Sequence, residues 1–428
     1  MKIRQLAERL RQSLWFIPAL GLLLAAITAS AMLLLSQWIA SSNGHPPIIF
    51  GGGPEGARGI LQAIAGSVVT VAGVVFSITV VALQLTSTQY SPRVLRNFMR
   101  DRPTQLTLAV FMATIFYALL VLRTIRSPSA DGREPFVPGL AVTGAVLLVF
   151  VSLLMLVYFI HHIGTRIQVS SIIETVTEET IGTVASIERL FEPMRGQDIG
   201  DELATDGARA VRARRSGYLQ YLDVGGLLRV AAEHDLRVAV LVPPGGWVQA
   251  GAPLFEVSAG DASEEELQDW LVGKAGLGSQ RSMQQDVGFG VQQLVDIAVR
   301  ALSPGINDPT TATQCIDRLT QVLVAVGGRE PPPSVLADDA GVARLRLAFP
   351  GFADLLQQAV EQVRHYGAGA PVVVRHLALA LRMIRQSVPR RHHDAIRREV
   401  DRLEQDVATL AAHDRREIEP YLRQAARE

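Results

Sequence analysis

The sequence predicts a mostly α-helical protein: a four-span transmembrane helical bundle followed by a cytoplasmic α+β region with a small β module and helical hairpins. Three observations predict it. Four long stretches without Asp, Glu, Lys or Arg lie within the first 165 residues, ordinary charged sequence follows them, and the positive charges cluster at particular ends of the stretches. Each stretch approaches or exceeds the ~20 residues that a helix needs to cross ~30 Å of hydrocarbon. A spanning segment must satisfy its backbone hydrogen bonds internally, so helices are expected rather than isolated strands.

The stretches run Leu14 to Trp38, Gly59 to Thr86, Gln105 to Leu122 and Phe136 to Ile160. The first exceeds the roughly 7 to 15 apolar residues of a signal-peptide core and is expected to be a retained anchor. Pro18 lies near its start, where a helix tolerates proline. Lys2, Arg4, Arg9 and Arg11 precede the first span, and Arg93, Arg96, Arg100 and Arg102 follow the second. By the positive-inside rule both chain ends are expected in the cytoplasm.

Overall the chain carries 41 basic and 41 acidic residues. Residues 1–165 hold 12 basic and 5 acidic, net +7, which leaves 29 basic and 36 acidic beyond them, net −7. An acidic soluble part argues against nucleic-acid binding. The lone cysteine, Cys315, excludes an intramolecular disulfide and reads as a buried, inert thiol.

The second span is the least ordinary. Gln62, Gly66, Thr70, Gly73, Ser77, Val80, Gln84 and Ser87 recur at steps of three and four and share one face. The other faces carry Ile64, Val68, Val69, Val74, Val75 and Phe76, among other apolar residues, and read as a lipid-compatible surface. Small residues with hydroxyls and amides suit close helix packing. They also suit the wall of a hydrated path, which they can line without the cost of a buried charge. Gln62, Gly66, Thr70, Gly73, Ser77 and Gln84 are therefore candidate pore-lining residues. By contrast Thr107, Thr114, Tyr117, Thr143 and Ser152 are scattered singly through the third and fourth spans.

After the second span Ser91 and Pro92 resemble a helix cap and first turn. Arg93, Arg96 and Arg100 would then share one side and are candidate headgroup contacts. His161 and His162 mark the exit of the fourth span. Adjacent histidines point to different sides of a helix, so they read as interface residues rather than a metal pair.

Beyond the transmembrane domain, residues 1–165, a stalk helix and linker are expected over 166–215 and a small β-rich module over 216–260. A helical hairpin region follows at 261–330 and a C-terminal helical region at 331–428. The stalk is expected to continue the fourth span, with Glu192 to Arg215 as linker. Arg237 through Phe255, including the turn Pro243-Pro-Gly-Gly246, resembles the small barrel of biotinyl and lipoyl carrier domains, but the carrier lysine is absent. No cofactor is implied.

The hairpin centres on Ser303-Pro-Gly-Ile-Asn-Asp-Pro-Thr-Thr-Ala312, with a first helix expected over Met283 to Leu302. Asp308 before Pro309 is a favourable N-cap. Because Asn307, Asp308, Thr310 and Thr311 gather at a helix start, they are candidate ligand or subunit contacts, although Asp308 opposes an anion there. Further on, helices are expected over Phe352 to His365, Pro371 to Val388 and Asp394 to about Arg423. No phosphate loop, zinc-protease motif or nucleophile elbow occurs, and Gly288-Phe-Gly290 is too short for a phosphate loop. No catalytic, cofactor or metal residues are assigned, and an enzyme is not expected.

Ala82-Leu-Gln-Leu-Thr-Ser-Thr-Gln-Tyr-Ser-Pro-Arg93, Phe159-Ile-His-His-Ile-Gly164 and Arg300-Ala-Leu-Ser-Pro-Gly-Ile-Asn-Asp-Pro-Thr-Thr-Ala312 together resemble an uncharacterised family of predicted bacterial inner-membrane proteins. The resemblance covers nearly the whole chain. It implies a four-span architecture and a multi-pass place in the bacterial inner membrane, and it supplies no catalytic residues. The pattern as a whole favours a homo-oligomeric, channel-like or solute-permeation protein whose cytoplasmic region assembles or gates it. The competing expectation is a non-conducting scaffold or sensor that binds a cytoplasmic protein partner.

Overall fold

The computed structural model describes residues 15–41, 50–89, 101–127, 136–166, 168–197, 203, 208–258, 262–408 and 412–427. The chain divides into two compact units, Met1–Ser171 and Ile172–Glu428.

In the first unit the described helices are α1 (Phe16–Ser41), α2 (Pro54–Gln89), α3 (Arg102–Thr124) and α4 (Gly139–Arg166). All four are long and apolar enough to cross a membrane. The hub is α3, which packs on the other three. Lipid tails are as apolar as leucine, so such helices gain little from hydrophobicity alone and associate through close packing of small residues. The contacts are accordingly rich in alanine: Ala25, Ala29, Ala57, Ala118, Ala141 and Ala145 are all buried. A Cβ on Gly21 of α1 would lie 3.0 Å from the Ala109 carbonyl oxygen of α3. At the start of α3, Asp101 accepts a hydrogen bond from the Thr104 amide.

Helix α5 (Val169–Phe191), most of which belongs to the second unit, is separate from α4 and not an extension of it. The expected continuous stalk is two helices, one ending at Arg166 and one starting at Val169, with Ile167 outside the described residues. The face carrying Ile172, Val176, Thr180, Val184 and Ile187 is buried, so α5 packs as an ordinary amphipathic helix. Its threonines fill the space left by small residues: a Cβ on Gly290 would sit 2.0 Å from Thr180 Oγ1. The Gly288-Phe-Gly290 run thus lies in a helix, and its second glycine permits that helix's close approach to α5. Thr183 adds a hydrogen bond of 2.7 Å to the Met283 carbonyl.

The β structure differs most from expectation. The strands and helices of this part are β1 (Arg209–Arg212), β2 (Gly217–Leu222), α6 (Val224–Glu233), β3 (Arg237–Val240), β4 (Trp247–Val248), β5 (Pro253–Ser258), α7 (Glu264–Val272) and β6 (Ala275–Gly278). With β7 (Val335–Ala337) and β8 (Ala343–Arg346) they form a five-stranded sheet ordered β1-β5-β3-β8-β7 and a three-stranded sheet ordered β4-β2-β6. Part of the expected linker is therefore the edge strand β1, paired antiparallel with β5. Strands also come from regions expected to be helical, and β3 pairs parallel with β8 across about a hundred residues of chain. Strands of two to four residues show too few alternations to be read from sequence.

The hairpin is α8 (Val287–Ala301) and α9 (Pro309–Gly327). The first helix starts four residues later than expected, because Asp286 caps it through the Phe289 amide at 2.9 Å. Asp286 also accepts two bonds from Arg281, at 2.8 and 2.9 Å. Burial pushes its carboxyl up from the ordinary range, against the pull of Arg281. Gly245, at φ 87°, lets the Pro243-Pro-Gly-Gly246 turn pass over this carboxylate, for a Cβ there would lie 2.1 Å from Oδ2. The described α-helices that follow are α10 (Phe352–Gly367), α11 (Pro371–Ser387), α12 (His393–Val407) and α13 (Ala412–Arg427). The single last helix that was expected is two. Ile396, Val400, Leu403 and Val407 are buried, and α11 packs against both α12 and α13.

Candidate functional site

On α2 the residues facing the bundle are Ala57, Leu61, Ile64, Ala65, Val68, Val75 and Ala82, all buried. At about 100° per residue this set lies roughly opposite the small and polar stripe. Gln62, Gly66, Thr70, Gly73, Ser77 and Gln84 are exposed in the single chain. The structure thus brings all six onto the outward face of their own bundle. It also corrects part of the sequence reading, since Ile64, Val68 and Val75 face the protein core and not lipid. Exposed Val69 and Phe76 flank the stripe on one side, with Val74 and Val81 on the other.

Gly66 and Gly73 are open: a Cβ on either would meet nothing within 4 Å. Thr70 turns its hydroxyl back to the Gly66 carbonyl at 3.0 Å. A helix flank with two bare glycines and short polar side chains can admit a second helix closely, or water. Ser87 belongs to α2, but its side chain is outside the described residues. Arg93, Arg96 and Arg100, the candidate headgroup contacts, also lie outside them, as does the Ser91-Pro92 cap.

The polar residues of the third and fourth spans turn the other way. Thr114 Oγ1 and Ser152 Oγ lie 2.9 Å apart between α3 and α4, both buried. Tyr117 donates to the Ala141 carbonyl at 3.0 Å, across a helix contact where a Cβ on Gly144 would come within 2.7 Å of the phenol oxygen. Thr107 is fully buried and bonds the Pro103 carbonyl at 2.9 Å. At the end of the bundle where α3 begins, His162 Nε2 lies 3.0 and 2.9 Å from the two oxygens of Asp101. Sequence reading missed this pair because the two residues are 61 positions apart; the available signal was Asp101 ahead of Arg102-Pro103, which marks a helix start.

In the second unit Asp308 is an N-cap, accepting from the Thr311 amide at 3.1 Å and the Thr311 hydroxyl at 2.6 Å. These bonds hold its carboxyl below the usual carboxylate range. Asn307 adopts a left-handed backbone at φ 49° to close the turn, and both Asn307 and Thr310 are exposed. Cys315 is buried on α9, and burial pushes its thiol well up from the ordinary value. Among the described residues no three His, Cys, Asp or Glu side chains are grouped to hold a metal ion.

Residues 11–383 match the family model described as "Predicted membrane protein (DUF2254)". An uncharacterized protein of Mycobacterium bovis is 32% identical over 388 residues, covering 90% of this chain and 74% of that protein. An uncharacterized protein of Mycobacterium tuberculosis matches with the same identity and coverage. No solved structure matches.

Proposed function

Because the chain belongs to the predicted membrane protein family DUF2254 and carries four apolar helices, we propose that it is a homo-oligomeric, channel-like protein in which the stripe on α2 faces a shared axis. The observation that carries this reading is the direction of the stripe: it points away from its own bundle. A polar face left to lipid gains nothing, whereas copies arranged around an axis would give it water or one another. Among the described residues, the buried polar groups of α3 and α4 find partners inside the bundle, Thr114 with Ser152 and Tyr117 with the Ala141 carbonyl. The cytoplasmic unit would assemble or gate the oligomer, and no enzymatic activity is assigned to it.

Similarity to mycobacterial proteins supports a bacterial inner-membrane location, and the charge pattern supports cytoplasmic chain ends. In a Cys315→Ser background, cysteines at Asn43 and Asp131 should label from outside intact cells and one at Asp261 should not. Labelling at Asp261 without permeabilisation would overturn this orientation.

A scaffold is the second reading, favoured by the Thr70 hydroxyl, which already has its partner in the Gly66 carbonyl and so needs no water. The experiment is cysteine accessibility in membranes at Thr70, Ser77 and Gln84. Reaction with a water-soluble thiol reagent supports a hydrated path. Protection at all three, together with crosslinking between copies, makes the stripe a dry helix contact and selects the scaffold.

A further inference from the structure

Within the second unit, the C-terminal end of α5, the start of α8, the last turn of α9 and the start of α10 enclose a cavity of about 300 Å³. Small-molecule sites begin at this size. Its walls are largely apolar and aromatic. Phe191 and Phe349 meet edge to face with ring centroids 5.4 Å apart, Phe352 lies against the His392 ring at 4.2 Å, and the run Pro331-Pro-Pro333 completes the enclosure. An apolar cavity of about 150 Å³ stays dry and takes benzene; this one has about twice that room. It is too small for a helix, which is about 10–12 Å across with its side chains.

The charged and polar side chains of the lining are Glu188, Gln285, Arg329, Glu330 and His392. Each already has a partner in the chain. Arg329 donates through Nε to Glu188 of α5 at 2.8 Å and through Nη1 to the Ala325 carbonyl at 2.6 Å. Arg391 stands behind it, donating to the Arg329 carbonyl at 2.9 Å and lying 3.4 Å from Glu330. Gln285 is bonded at both ends of its amide, to the Leu222 amide at 2.8 Å and the Leu222 carbonyl at 3.1 Å. His392 Nε2 accepts from Arg391 Nε at 3.3 Å, and the ring also bonds the Gly327 backbone. Burial and the nearby Arg391 hold His392 below its ordinary value, so its ring is neutral at pH 7. Two guanidinium groups thus face two carboxylates, and the rim carries no net charge. An ion of either sign would leave water for apolar walls and meet no free opposite charge.

We propose that this cavity binds a neutral, apolar small molecule, seated against Phe191, Phe349 and Phe352 and excluded from no part of the wall by an unmet polar group. Removal of apolar surface from water supplies the affinity, and walls of proline and paired aromatic rings lose little freedom when filled. The matched rim supplies the selectivity, because a charged ligand would have to break an existing ion pair to gain a partner. The cavity lies wholly within the second unit, and the inference stands whether or not α2 lines a pore. Small aromatic compounds and the alkyl chains of neutral lipids share the required chemistry.

The test uses the full chain in lipid nanodiscs, with Phe349 replaced by 4-fluorophenylalanine and its fluorine NMR shift as readout, so that probe dissolved in lipid adds no signal. Butylbenzene, 4-phenylbutyrate and 4-phenylbutylammonium share one body and differ in charge. Against free aqueous concentration, butylbenzene should move the resonance saturably, and both ions should bind at least about tenfold less tightly. Saturation by decane at lower concentration than by butylbenzene supports the proposal with alkyl chains as ligand; the reverse order supports it with aromatic compounds. Glu188→Gln takes the carboxylate from Arg329 and should strengthen phenylbutyrate binding severalfold while leaving that of butylbenzene unchanged. Val326→Trp, which fills the cavity from α9, should abolish the butylbenzene shift with the melting temperature retained. Should that variant misfold, the charge series and Glu188→Gln decide. The proposal is overturned by the absence of a saturable shift with butylbenzene, by equal affinity for either ion, or by unchanged phenylbutyrate binding in Glu188→Gln.

Discussion

The second and third spans use similar polar residues to opposite ends. On α3, Thr107, Thr114 and Tyr117 turn inward, and each finds an oxygen partner within the bundle. On α2, Gln62, Thr70, Ser77 and Gln84 turn outward, on the same face as Gly66 and Gly73, which nothing in the chain covers. The difference teaches that polarity in a span is uninformative until its direction is known. An inward hydroxyl with a partner holds the bundle together, whereas an outward stripe has to be explained by whatever lies outside it. Asp308 belongs with the first kind, because Thr311 accounts for its carboxylate locally.

Substitutions at glycine should break the comparison most sharply. Gly144→Leu forces a side chain onto Tyr117 and should destabilise the bundle by about 1–3 kcal/mol or more, read as a lower melting temperature in detergent. Gly73→Leu should leave the melting of the single chain unchanged and abolish crosslinking between copies. An equal melting loss from both would mean that the outward face is covered within one chain.

Next in size is conductance. In planar bilayers Ser77→Leu should lower any unitary conductance severalfold by narrowing and drying the path. Val74→Leu, beside the stripe, is the matching control and should change it little. Val75 does not serve as a control, since it is buried in the bundle core. Unchanged conductance in Ser77→Leu would remove α2 from the pathway.

A smaller effect should sharpen the inward half. Thr114→Val, Ser152→Ala and the double variant form a cycle whose coupling should be about 0.6 kcal/mol, the usual scale for hydrogen bonds between spans. Zero coupling would reduce the pair to packing.

The smallest effect is at Asp308. Asp308→Ala should cost about 0.5 to 2 kcal/mol of stability, and Asp308→Asn much less, as both Asp and Asn cap well. The folded-state value of Asp308 is depressed, so its contribution is present above the unfolded carboxylate value and is lost as pH falls through the folded one. Acid unfolding of the wild type and the Asn variant should therefore diverge only at the acid end of the titration. Loss of function in a folded Asn variant would show that the charge itself is required.

Much of this was legible in the chain alone. Four charge-free runs determine four helices because a bilayer leaves a spanning backbone no other way to satisfy its hydrogen bonds. Asp308-Pro309 determines a helix start because cap and proline chemistry act within four residues. The stripe on α2 was likewise visible as a periodicity. What the sequence could not supply is anything that depends on distant partners. The pairing of β3 with β8, the meeting of His162 with Asp101, and the approach of Thr180 to Gly290 each join residues that local pattern treats as unrelated. The cavity beneath α5 is of the same kind, assembled from α5, α8, α9, the 330–333 run and α10. Sequence therefore determined which elements form, since propensity, capping and hydrophobic period are short-range. Only the tertiary structure decided which way the α2 stripe points, because that follows from Leu61, Ile64, Val68 and Val75 packing in the bundle core and leaving the opposite face bare.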